Sequence, residues 1–598
     1  MSVHALSGRV ILATLNATYL HTSLALRSLQ AFSRPRTNRE IRVMEFTINQ
    51  KSSDIMAEIY LQQPAVLAFS CYIWNIEPIL KLCDDYKKAF PSTLIILGGP
   101  EVSFYAAPIL EQNPGVDLVV SGEGETILAQ LLTALDGQLE LGAIPGITYR
   151  DHQGHICTNT PREELNNLDD LPFAYAHDWD DLTDRIVYYE SSRGCPFRCS
   201  YCLSASSSGV RTLSLERVKS DLDILLTLPV REIKFVDRTF NLNEKRARAI
   251  MEHILSSPHQ VMAHFEIDAS LFSDSMLDFL AAIPPGRFNF EIGIQSTYPP
   301  ALQAVNRQQD WERLRDNITR LITAANIHIH LDLIAGLPGE NLTRFKKSFD
   351  MAYNLQPHML QLGFLKILKG SPLEQDSDRL GYVFQSHPPY QVISTPVLDF
   401  SDIITLTRME SLLDKYYNSG EMAAALDYLT THIYAGRAAD FFQELAAYWT
   451  VRDWWNRGHK KEALYSYLGR FIQDHHPVHR HRVDERLKYD YLLHHHRYTL
   501  PEGLTSYNPA NINQVLYGYT RDKDFVHRWL PQLESRTPRE IKKLLHVEYF
   551  HGIDGEKPGR ELRLMFVYDP STLTAVRVLD LSGDQPCDWE PHQLENIL

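Results

Sequence analysis

The sequence has few cysteines, no long apolar run and a deficit of positive charge. Only seven of its 598 residues are cysteine, which argues against the disulfide framework of small secreted domains. No stretch approaches the roughly 20 consecutive apolar residues that a membrane-spanning helix requires. The N-terminal MSVHALSGRVILATLNATYL has one arginine before a short apolar run that ends at Asn16, which favours a buried strand over a signal peptide. We therefore expect a cytoplasmic protein without a membrane span.

The charge balance is acidic. The chain has 59 lysine and arginine residues against 74 aspartate and glutamate residues, a formal net charge of −15 at pH 7. A broad nucleic-acid-binding surface needs an excess of positive charge, so nucleic acid is not an expected partner, although a local basic patch stays open. The length and the 44% apolar composition indicate a globular protein of three or four domains.

The first 150 residues alternate apolar runs with amphipathic segments. The apolar runs are GRVILATL, PAVLAFSCYIW, TLIILGGP and VDLVVSGEG. This alternation is typical of a parallel sheet wrapped by helices, so residues 1–150 are predicted to form a doubly wound, Rossmann-like domain. Residues 151–185 are polar and irregular, and we interpret them as a linker.

A second series of strand–helix repeats begins at residue 186. Its six strands are RIVYYESS, REIKFVD, AHFEID, RFNFEIGIQS, IHIHLDLIAGLPGE and MLQLGFLKI. They predict a partial (β/α)6 barrel over residues 186–374, with the active site at the C-terminal ends of the strands. Residues 375–598 have long helical patterns followed by a small antiparallel sheet. The predicted fold class is α/β with this mainly helical C-terminal region.

RGCPFRCSYCLS (193–204) concentrates the cysteines, because Cys195, Cys199 and Cys202 fall within eight positions. A structural zinc site usually takes four ligands, and the following LSASSSGVRTL offers no fourth cysteine or histidine. A [4Fe–4S] cluster held by three thiolates would keep one iron open for a substrate or cofactor. A chance cluster of cysteines, or a zinc site completed by a distant histidine, stays open as an alternative.

CPFRCSYC, with an aromatic residue before its last cysteine, resembles the signature of radical S-adenosylmethionine (SAM) enzymes, and the resemblance extends over about residues 186–370. It implies that the open iron binds SAM through its amino and carboxylate groups. It also implies that one electron, from an external reductant of the flavodoxin or ferredoxin type, cleaves SAM to a 5′-deoxyadenosyl radical. The three cysteines are the implied cluster ligands.

The same resemblance implies a set of SAM contacts at the strand ends. VDRTFN (236–241) matches the segment that meets the SAM amino group, although the usual glycine pair is absent, and DLIAGLPGE (332–340) matches the segment against the adenine. For Glu266 and Gln295 a simple strand-capping role stays open. The implied SAM-binding residues are Tyr201, Asp237, Arg238, Thr239, Glu266, Gln295, Ser296, Gly336 and Leu337.

Residues 1–150 resemble the cobalamin-binding domain of the B12-dependent radical SAM class. The matching loops are ATLNATYLHTS, FSCYIWN, LGGPEVS and SGEGETI. No D-x-H-x-x-G motif follows the first strand, and His21 is expected to make a polar contact, not to ligate cobalt. A degenerate domain without the cofactor stays open. The implied cobalamin-binding residues are Thr14, Asn16, Tyr19, Ser70, Tyr72, Gly98, Gly99, Pro100, Glu101, Gly122, Glu123, Gly124 and Glu125.

This resemblance implies a methyltransferase that acts on an unactivated carbon of a small-molecule or peptide substrate, using methylcobalamin and the radical. A radical rearrangement, ring contraction or cyclisation is the alternative. A tRNA methylthiotransferase is less expected, because it needs three further cysteines and only Cys71, Cys83 and Cys157 are candidates. Lys366 and Lys369 are candidates for an anionic substrate group.

The C-terminal region resembles an uncharacterised domain of one subgroup of these proteins, and no function follows from it. It contains the histidine-rich run HHPVHRHRVDERLKYDYLLHHHR (475–497). Consecutive histidines on a helix or strand do not converge on one ion. We therefore expect this run to be a solvated or partner-facing surface.

Overall fold

The computed structural model describes residues 8–176, 179–207, 209–496, 499–554, 557–572, 574–583 and 585–589. The chain forms two compact units: residues 1–345 with 355–357 and 362–400, and residues 346–354 with 358–361 and 401–598. Over the residues that the structure describes, no helix combines the length and the apolar character needed to cross a bilayer.

The first unit begins with a seven-stranded sheet and its helices. The strands are β1 (Arg9–Asn16), β2 (Ile41–Thr47), β3 (Pro64–Ser70), β4 (Leu94–Gly98), β5 (Leu118–Val120), β6 (Ile147–Arg150) and β7 (Ile156–Thr158). The helices are α1 (Leu24–Ser33), α2 (Ser52–Leu61), α3 (Ile76–Ala89), α4 (Pro100–Ser103), α5 (Ala106–Gln112) and α6 (Gly124–Leu135).

The strand order β2-β1-β3-β4-β5-β6-β7 makes this sheet doubly wound, as predicted. The strands from β2 to β5 pair in parallel, whereas β6 and β7 are antiparallel. The sequence patterns missed β2, β6 and β7. The last of these lies in the segment interpreted as a linker, which therefore adds an edge strand to the sheet.

Side chains of β1 alternate between two cores. Ile11 and Ala13 pack with α2, α3 and α5 on one face, and Val10 and Leu12 pack with α1 and α6 on the other. A central parallel strand is covered on both faces, which explains its uninterrupted apolar run. The chain leaves β1 and β3 towards opposite faces, so the crevice at their carboxyl ends is where such a sheet places its ligand.

The partial barrel follows the N-terminal sheet in the chain. Its strands are β8 (Ile186–Tyr189), β11 (Glu232–Phe235), β12 (Met262–Ile267), β13 (Phe288–Gln295), β14 (His328–Ala335) and β15 (Met359–Phe364), and a separate ribbon consists of β9 (Ser192–Arg193) and β10 (Arg211–Thr212). The helices are α7 (Leu215–Leu225), α8 (Glu244–Ser256), α9 (Asp274–Ala281), α10 (Pro299–Ala304), α11 (Trp311–Ala324) and α12 (Leu342–Tyr353), and the elements α13 (Pro372–Asp376), β16 (Val383–Phe384) and β17 (Val392–Ser394) follow.

The barrel sheet has the order β15-β14-β13-β12-β11-β8, which confirms the six predicted strands. Burial alternates strictly along β12 and β13, with fully buried residues between half-buried ones. The fully buried face packs under the helices and the half-buried face lines the barrel interior, since alternate residues of a strand point to opposite faces. The interior face is the one that carries the polar residues.

The C-terminal region is helical and ends in a four-stranded antiparallel sheet of order β18-β19-β20-β21, as predicted. The helices are α14 (Phe400–Leu412), α15 (Ala423–Tyr428), α16 (Ala438–Val451), α17 (Lys461–His475), α18 (Arg480–His494), α19 (Ile512–Arg521), α20 (Lys523–Trp529) and α21 (Pro538–Lys542). The strands are β18 (Leu545–Asp554), β19 (Lys557–Tyr568), β20 (Ala575–Asp580) and β21 (Cys587–Asp588).

The sequence suggested a solvated or partner-facing surface for the histidine-rich run, but two of its histidines contact tyrosines of the second unit. His476 lies 3.0 Å from the hydroxyl of Tyr434, and His479 lies 2.8 Å from the hydroxyl of Tyr428. Both imidazoles are half-buried, and burial lowers the pKa of each below its usual value. These histidines therefore pack within the second unit as neutral hydrogen-bonding groups.

Candidate active site

The cysteine loop starts and ends at the ribbon of β9 and β10. Gly194 follows β9 with a φ of +101°, and a Cβ there would lie 1.9 Å from the carbonyl oxygen of Gly209, so only glycine fits. Between the two strands the loop carries Cys195, Cys199 and Cys202, and all three line one cavity of about 290 Å³. The loop thus brings the three predicted ligands to one side of the barrel mouth.

Asp237 holds the start of this loop. Its carboxylate accepts hydrogen bonds from the Ser191 amide at 2.9 Å and from the hydroxyls of Ser191 and Ser192 at 2.7 and 2.5 Å. Burial raises the pKa of Asp237 to about 6. The hydrogen-bond donors to this carboxylate are thus Ser191 and Ser192. Asp237 does not line the small cavity, as the SAM-binding role would require.

Several predicted SAM residues do meet in the small cavity. Tyr201, Arg238, Thr239, Glu266 and Gln295 line it together with the cysteines. The hydroxyl of Thr239 lies 4.0 Å from the sulfur of Cys195. Burial raises the pKa of Tyr201, which keeps its phenol neutral.

Three other predicted SAM residues lie elsewhere. The hydroxyl of Ser296 donates to Glu340 at 2.7 Å and is completely buried. Leu337 packs in an apolar cluster with Leu365 and Val392, and the carbonyl of Gly336 accepts from the hydroxyl of Tyr382 at 2.9 Å. These residues shape the wall behind the fifth strand and do not line either cavity.

Gln295 combines a strained backbone with an unsatisfied side chain. Its φ is +65°, a left-handed value that residues other than glycine rarely adopt. Its Oε1 atom is buried and has no hydrogen-bond partner among the residues that the structure describes. A buried polar atom without a partner is costly unless a ligand supplies one. Gln295 is also one of the residues that line the small cavity.

The barrel interior holds a charged network that sequence reasoning missed. Glu291 accepts from Lys234 at 3.0 Å and from His264 at 2.9 Å, and His264 also lies 3.3 Å from Glu232. Burial opposes ionisation of Glu291, but the hydrogen bond from His264 and the charge of Lys234 hold its pKa well below the usual value. Glu291 is therefore a fixed negative charge on the wall of the small cavity. Charged residues at alternate positions in EIKF, AHFEI and FNFEIGI were the available signal, since a parallel strand is normally apolar throughout.

Arg307 is a second missed residue. It follows α10, donates to the Gly293 carbonyl at 2.5 Å and places Nη1 3.9 Å from the sulfur of Cys199. It belongs to no recognisable motif, so its position beside the cysteine loop depends on the tertiary structure.

A larger cavity, of about 940 Å³, opens at the carboxyl ends of the N-terminal sheet. Most of the predicted cobalamin residues line it: Asn16, Ser70, Tyr72, Gly98, Gly99, Pro100, Gly122, Glu123, Gly124 and Glu125. Apolar residues of the former linker also line it, among them Leu168, Leu171 and Pro172. Doubly wound sheets bind ligands in this place.

Gly122 shows that this cavity can take a ligand close to the backbone. Its φ is +88°, and a Cβ there would meet no atom within 4 Å. At Gly99, with a φ of +109°, a Cβ would instead collide with the backbone of Cys71 at 2.5 Å. Gly99 is thus required by the fold, whereas Gly122 leaves open space, which fits a bulky group such as a corrinoid.

Three predicted cobalamin residues do not line the larger cavity. Thr14 is buried and donates to the Ser70 carbonyl at 3.3 Å, and Tyr19 is 69% exposed with its ring over Arg185. Glu101 is paired with Lys369 at 3.2 Å. Lys369 is therefore compensated by a carboxylate, and neither it nor the exposed Lys366 lines either cavity.

Arg238 and Glu266 line both cavities. Their side chains are 3.9 Å apart, and the Arg238 side chain is 56% exposed. Burial raises the pKa of Glu266. The space in front of the cysteine loop and the space at the N-terminal domain loops thus share a boundary formed by this loose ion pair.

The cysteine set fits an iron–sulfur cluster with one open iron. Neither a fourth cysteine nor a histidine lines the described wall of the small cavity. Over the described part of the chain, no three His, Cys, Asp or Glu side chains are placed to hold a single metal ion. A cubane cluster takes each thiolate on a different iron, so its ligands stand further apart than the four ligands of one zinc ion.

Family comparisons agree with this architecture. The model for the B12 binding domain matches residues 9–132, and the model for the radical SAM superfamily matches residues 189–352. A third model, described as a protein of unknown function (DUF4080), matches residues 378–561. The partial barrel and its cysteine loop define a radical SAM protein. The chain thus combines a B12 binding domain with a radical SAM domain, an arrangement that resembles the cobalamin-dependent radical SAM enzymes.

Individual relatives support the same assignment. The chain is 28% identical over 355 residues to the cobalamin-dependent radical SAM methyltransferase TokK of Streptomyces tokunonensis, covering 56% of this chain and 51% of TokK. It is 26% identical over 356 residues to 2-(S-pantetheinyl)-carbapenam-3-carboxylate methyltransferase of Streptantibioticus cattleyicolor, covering 56% of this chain and 52% of that enzyme. The chain thus spans about half the length of these curated relatives.

A solved structure shows the same fold. It is the cobalamin-dependent SAM radical enzyme OxsB with aqua-cobalamin and SAM bound, with a TM-score of 0.57 at 16% identity. The match covers 81% of this chain and 83% of OxsB. The likeness therefore extends over both the N-terminal sheet and the barrel.

Proposed function

We propose that this chain is a cobalamin-dependent methyltransferase that transfers a methyl group to an unactivated carbon of a small-molecule or peptide substrate. The observation that carries the proposal is the boundary that Arg238 and Glu266 form between the two cavities. A substrate seated at this boundary would face both the cysteine loop and the B12-domain loops. The methyltransferase names of the two curated relatives support methyl transfer as the reaction.

The chain's own residues would bind and orient the cofactors. Cys195, Cys199 and Cys202 would hold the cluster, Gln295 would accept a hydrogen bond from SAM, and the loop at Gly122 would admit the corrinoid. Bound there, SAM would supply a carbon-centred oxidant and cobalamin would supply a transferable methyl group.

The alternative reactions differ in their products. A rearrangement, ring contraction or cyclisation would use the same cavities, and the relatives include an anaerobic magnesium-protoporphyrin IX monomethyl ester cyclase. A methylthiotransferase would need a second cysteine cluster. Cys71 and Cys83 are buried in the apolar core of the N-terminal domain, and Cys157 lies on the edge strand β7. These three cysteines therefore do not form such a cluster.

The test is anaerobic reconstitution of the full chain with iron, sulfide and hydroxocobalamin, followed by an assay with SAM and a reductant. We expect about four iron atoms per chain and the absorbance of both cofactors. With candidate substrates, a product heavier by one methylene unit should form together with 5′-deoxyadenosine and S-adenosylhomocysteine. Cys199→Ala should lose iron and SAM cleavage, whereas the matched control Cys157→Ala should keep both. Deoxyadenosine without any homocysteine product would contradict methyl transfer.

The same proposal includes the partners and the location of the enzyme. An external one-electron reductant of the flavodoxin or ferredoxin type would reduce the cluster, and the cytoplasm is where such reductants operate. An iron–sulfur enzyme with free cysteines suits a reducing compartment.

A further inference from the structure

The ribbon at the base of the cysteine loop places two like charges side by side. Arg193 of β9 lies directly opposite Arg211 of β10 in the antiparallel register. Their side chains are only 20% and 16% exposed. Like charges opposite each other destabilise a strand pair, more so when water is largely excluded. The ribbon therefore needs negative charge from elsewhere in the fold.

The N-terminal domain supplies most of that charge. Glu123 accepts two hydrogen bonds from the Arg211 guanidinium, at 2.6 and 3.3 Å, and lies 3.3 Å from Arg193. Glu125 accepts from Arg193 at 2.8 Å. Glu190, beside the ribbon in the chain, accepts from the same Nη2 of Arg193 at 2.8 Å and from its Nε at 3.1 Å. Glu123 thus sits between the two guanidinium groups and contacts both.

These carboxylates stand on the loop that lines the larger cavity. Glu123 is the cap residue of α6, between Gly122 and Gly124, and its second oxygen accepts from the Leu165 amide at 2.8 Å. Burial opposes ionisation, but Arg211 and the amide lower the pKa of Glu123. At neutral pH the contact is therefore an ionic one. Glu123 and Glu125, which the sequence assigned to cobalamin binding, line the larger cavity, and both carboxylates also contact arginines of the ribbon.

We propose that Glu123, with Arg193 and Arg211, is a positioning residue that couples occupancy of the corrinoid cavity to occupancy of the cysteine loop. A cluster bound by three thiolates fixes the loop and hence both arms of the ribbon. The guanidinium groups then hold the Gly122–Gly124 loop in the position that lines the corrinoid cavity. Ordering this loop costs conformational entropy. The first cofactor to bind meets this cost and the second does not, so each cofactor favours binding of the other.

The inference rests on the proposed function, because it requires that both cofactors bind. The expected size of the coupling follows from the range that is usual between two binding sites. We expect the cluster to tighten cobalamin binding by roughly 5-fold or more, and by reciprocity cobalamin should stabilise the cluster to the same extent.

The test measures the dissociation constant of hydroxocobalamin by absorbance titration, in the full chain with its cluster and in the variant with all three cysteines of the loop replaced by alanine. The coupling is the ratio of the two constants. Glu123→Gln keeps the shape and the acceptor for Leu165 but removes the charge, so its ratio should fall towards one. Arg211→Gln should lower the ratio to a similar extent, and the double variant should lower it no further. The cluster-free constant of each variant reports any direct contact with cobalamin separately.

Glu164→Gln is the matched control. Glu164 also lies near Arg211, at 3.5 Å, but it is 36% exposed and outside the loop of the larger cavity, so its ratio should equal that of the unmodified chain. A ratio of one in the unmodified chain, or equal ratios in that chain and in Glu123→Gln, would overturn the coupling alone. No cobalamin binding in either form would overturn the proposed function and the coupling with it.

Discussion

Gln295 carries both backbone strain and an unpaired buried oxygen, and both costs fall at the wall of the small cavity. Strain of this kind persists where a function requires it. The residue is therefore a sharper test of the SAM site than the cysteines, whose loss would remove the cluster as well.

Gln295→Gly should weaken SAM binding and leave the protein no less stable. Glycine adopts a positive φ without strain and removes the unpaired oxygen, whereas the lost hydrogen bond to a charged ligand should raise the dissociation constant of SAM about tenfold. Equilibrium binding of SAM to the reconstituted chain measures the first effect, and the urea midpoint measures the second.

Gln356→Gly is the control for this change. Gln356 also has a positive φ, of 55°, but its side chain is exposed and lies outside both cavities. Relief of backbone strain alone should therefore leave SAM binding unchanged. Unaltered SAM affinity in Gln295→Gly would show that the glutamine acts only on the fold.

At this scale, the residues that could be grouped from the sequence are those that share one loop. Cys195, Cys199 and Cys202 could be grouped from their spacing, because residues within eight positions of a loop are necessarily neighbours. Asp237 was selected by position, but its carboxylate turns towards Ser191 instead of the cavity. Arg307 could not be found, since a contact between residues 108 positions apart depends on packing.

At the scale of elements, the loops after the parallel strands form the larger cavity, and two glycines allow a matched comparison. Gly122 and Gly154 have φ values of +88° and +87°, and a Cβ at either would meet open space. Gly122 lines the larger cavity, whereas Gly154 lies in the turn between β6 and β7.

Alanine at either position should cost about 1–2 kcal/mol of unfolding free energy, because an L-residue is strained at positive φ. Only Gly122→Ala should also weaken hydroxocobalamin binding, since its methyl group enters the cavity. Urea denaturation and an absorbance titration measure the two effects. An equal loss of cobalamin affinity in Gly154→Ala would mean that strain, and not occupancy of the cavity, is responsible.

The elements that sequence patterns missed are those at the sheet edges. β2 is an edge strand, half-buried along most of its length, so IRVMEFT has no uninterrupted apolar run. β6 and β7 form the other edge and are short. Central strands such as β1 are buried on both faces and therefore leave an unmistakable apolar signature.

At the scale of the whole molecule, buried carboxylates make stability depend on pH. Asp490 of α18 is 2% exposed and accepts from the amides of Ala424 and Ala425 at 3.1 and 2.9 Å. Burial raises its pKa to about 7, above the ordinary value of 3.8. The folded state therefore binds this proton more tightly than the unfolded state, and the stability contributed by Asp490 is lost as the pH rises from about 4 through 7.

Asp490→Asn removes the charge and keeps one of the two amide contacts, because its single carbonyl oxygen can replace only one carboxylate oxygen. We expect the stability of this variant relative to the unmodified chain to be higher at pH 8 than at pH 5, by on the order of a few kcal/mol. Urea denaturation of the full chain at both pH values measures this. The exposed Asp414 of the same unit serves as the control, and Asp414→Asn should show no such dependence. A gain of equal size at pH 5 and pH 8 would contradict a buried, titrating carboxylate.

The sequence by itself determined the chemistry of the cysteine loop, the order of the domains and the six strands of the barrel. These features depend on local spacing and on the periodicity of apolar residues, which are properties of short segments. Only the tertiary structure decided which of the predicted residues face the cavities and which serve the fold. The contacts of Glu123 with Arg211 and of Glu291 with Lys234 join segments more than 50 residues apart. Strand register and packing bring such residues together, and no local pattern in the chain records that.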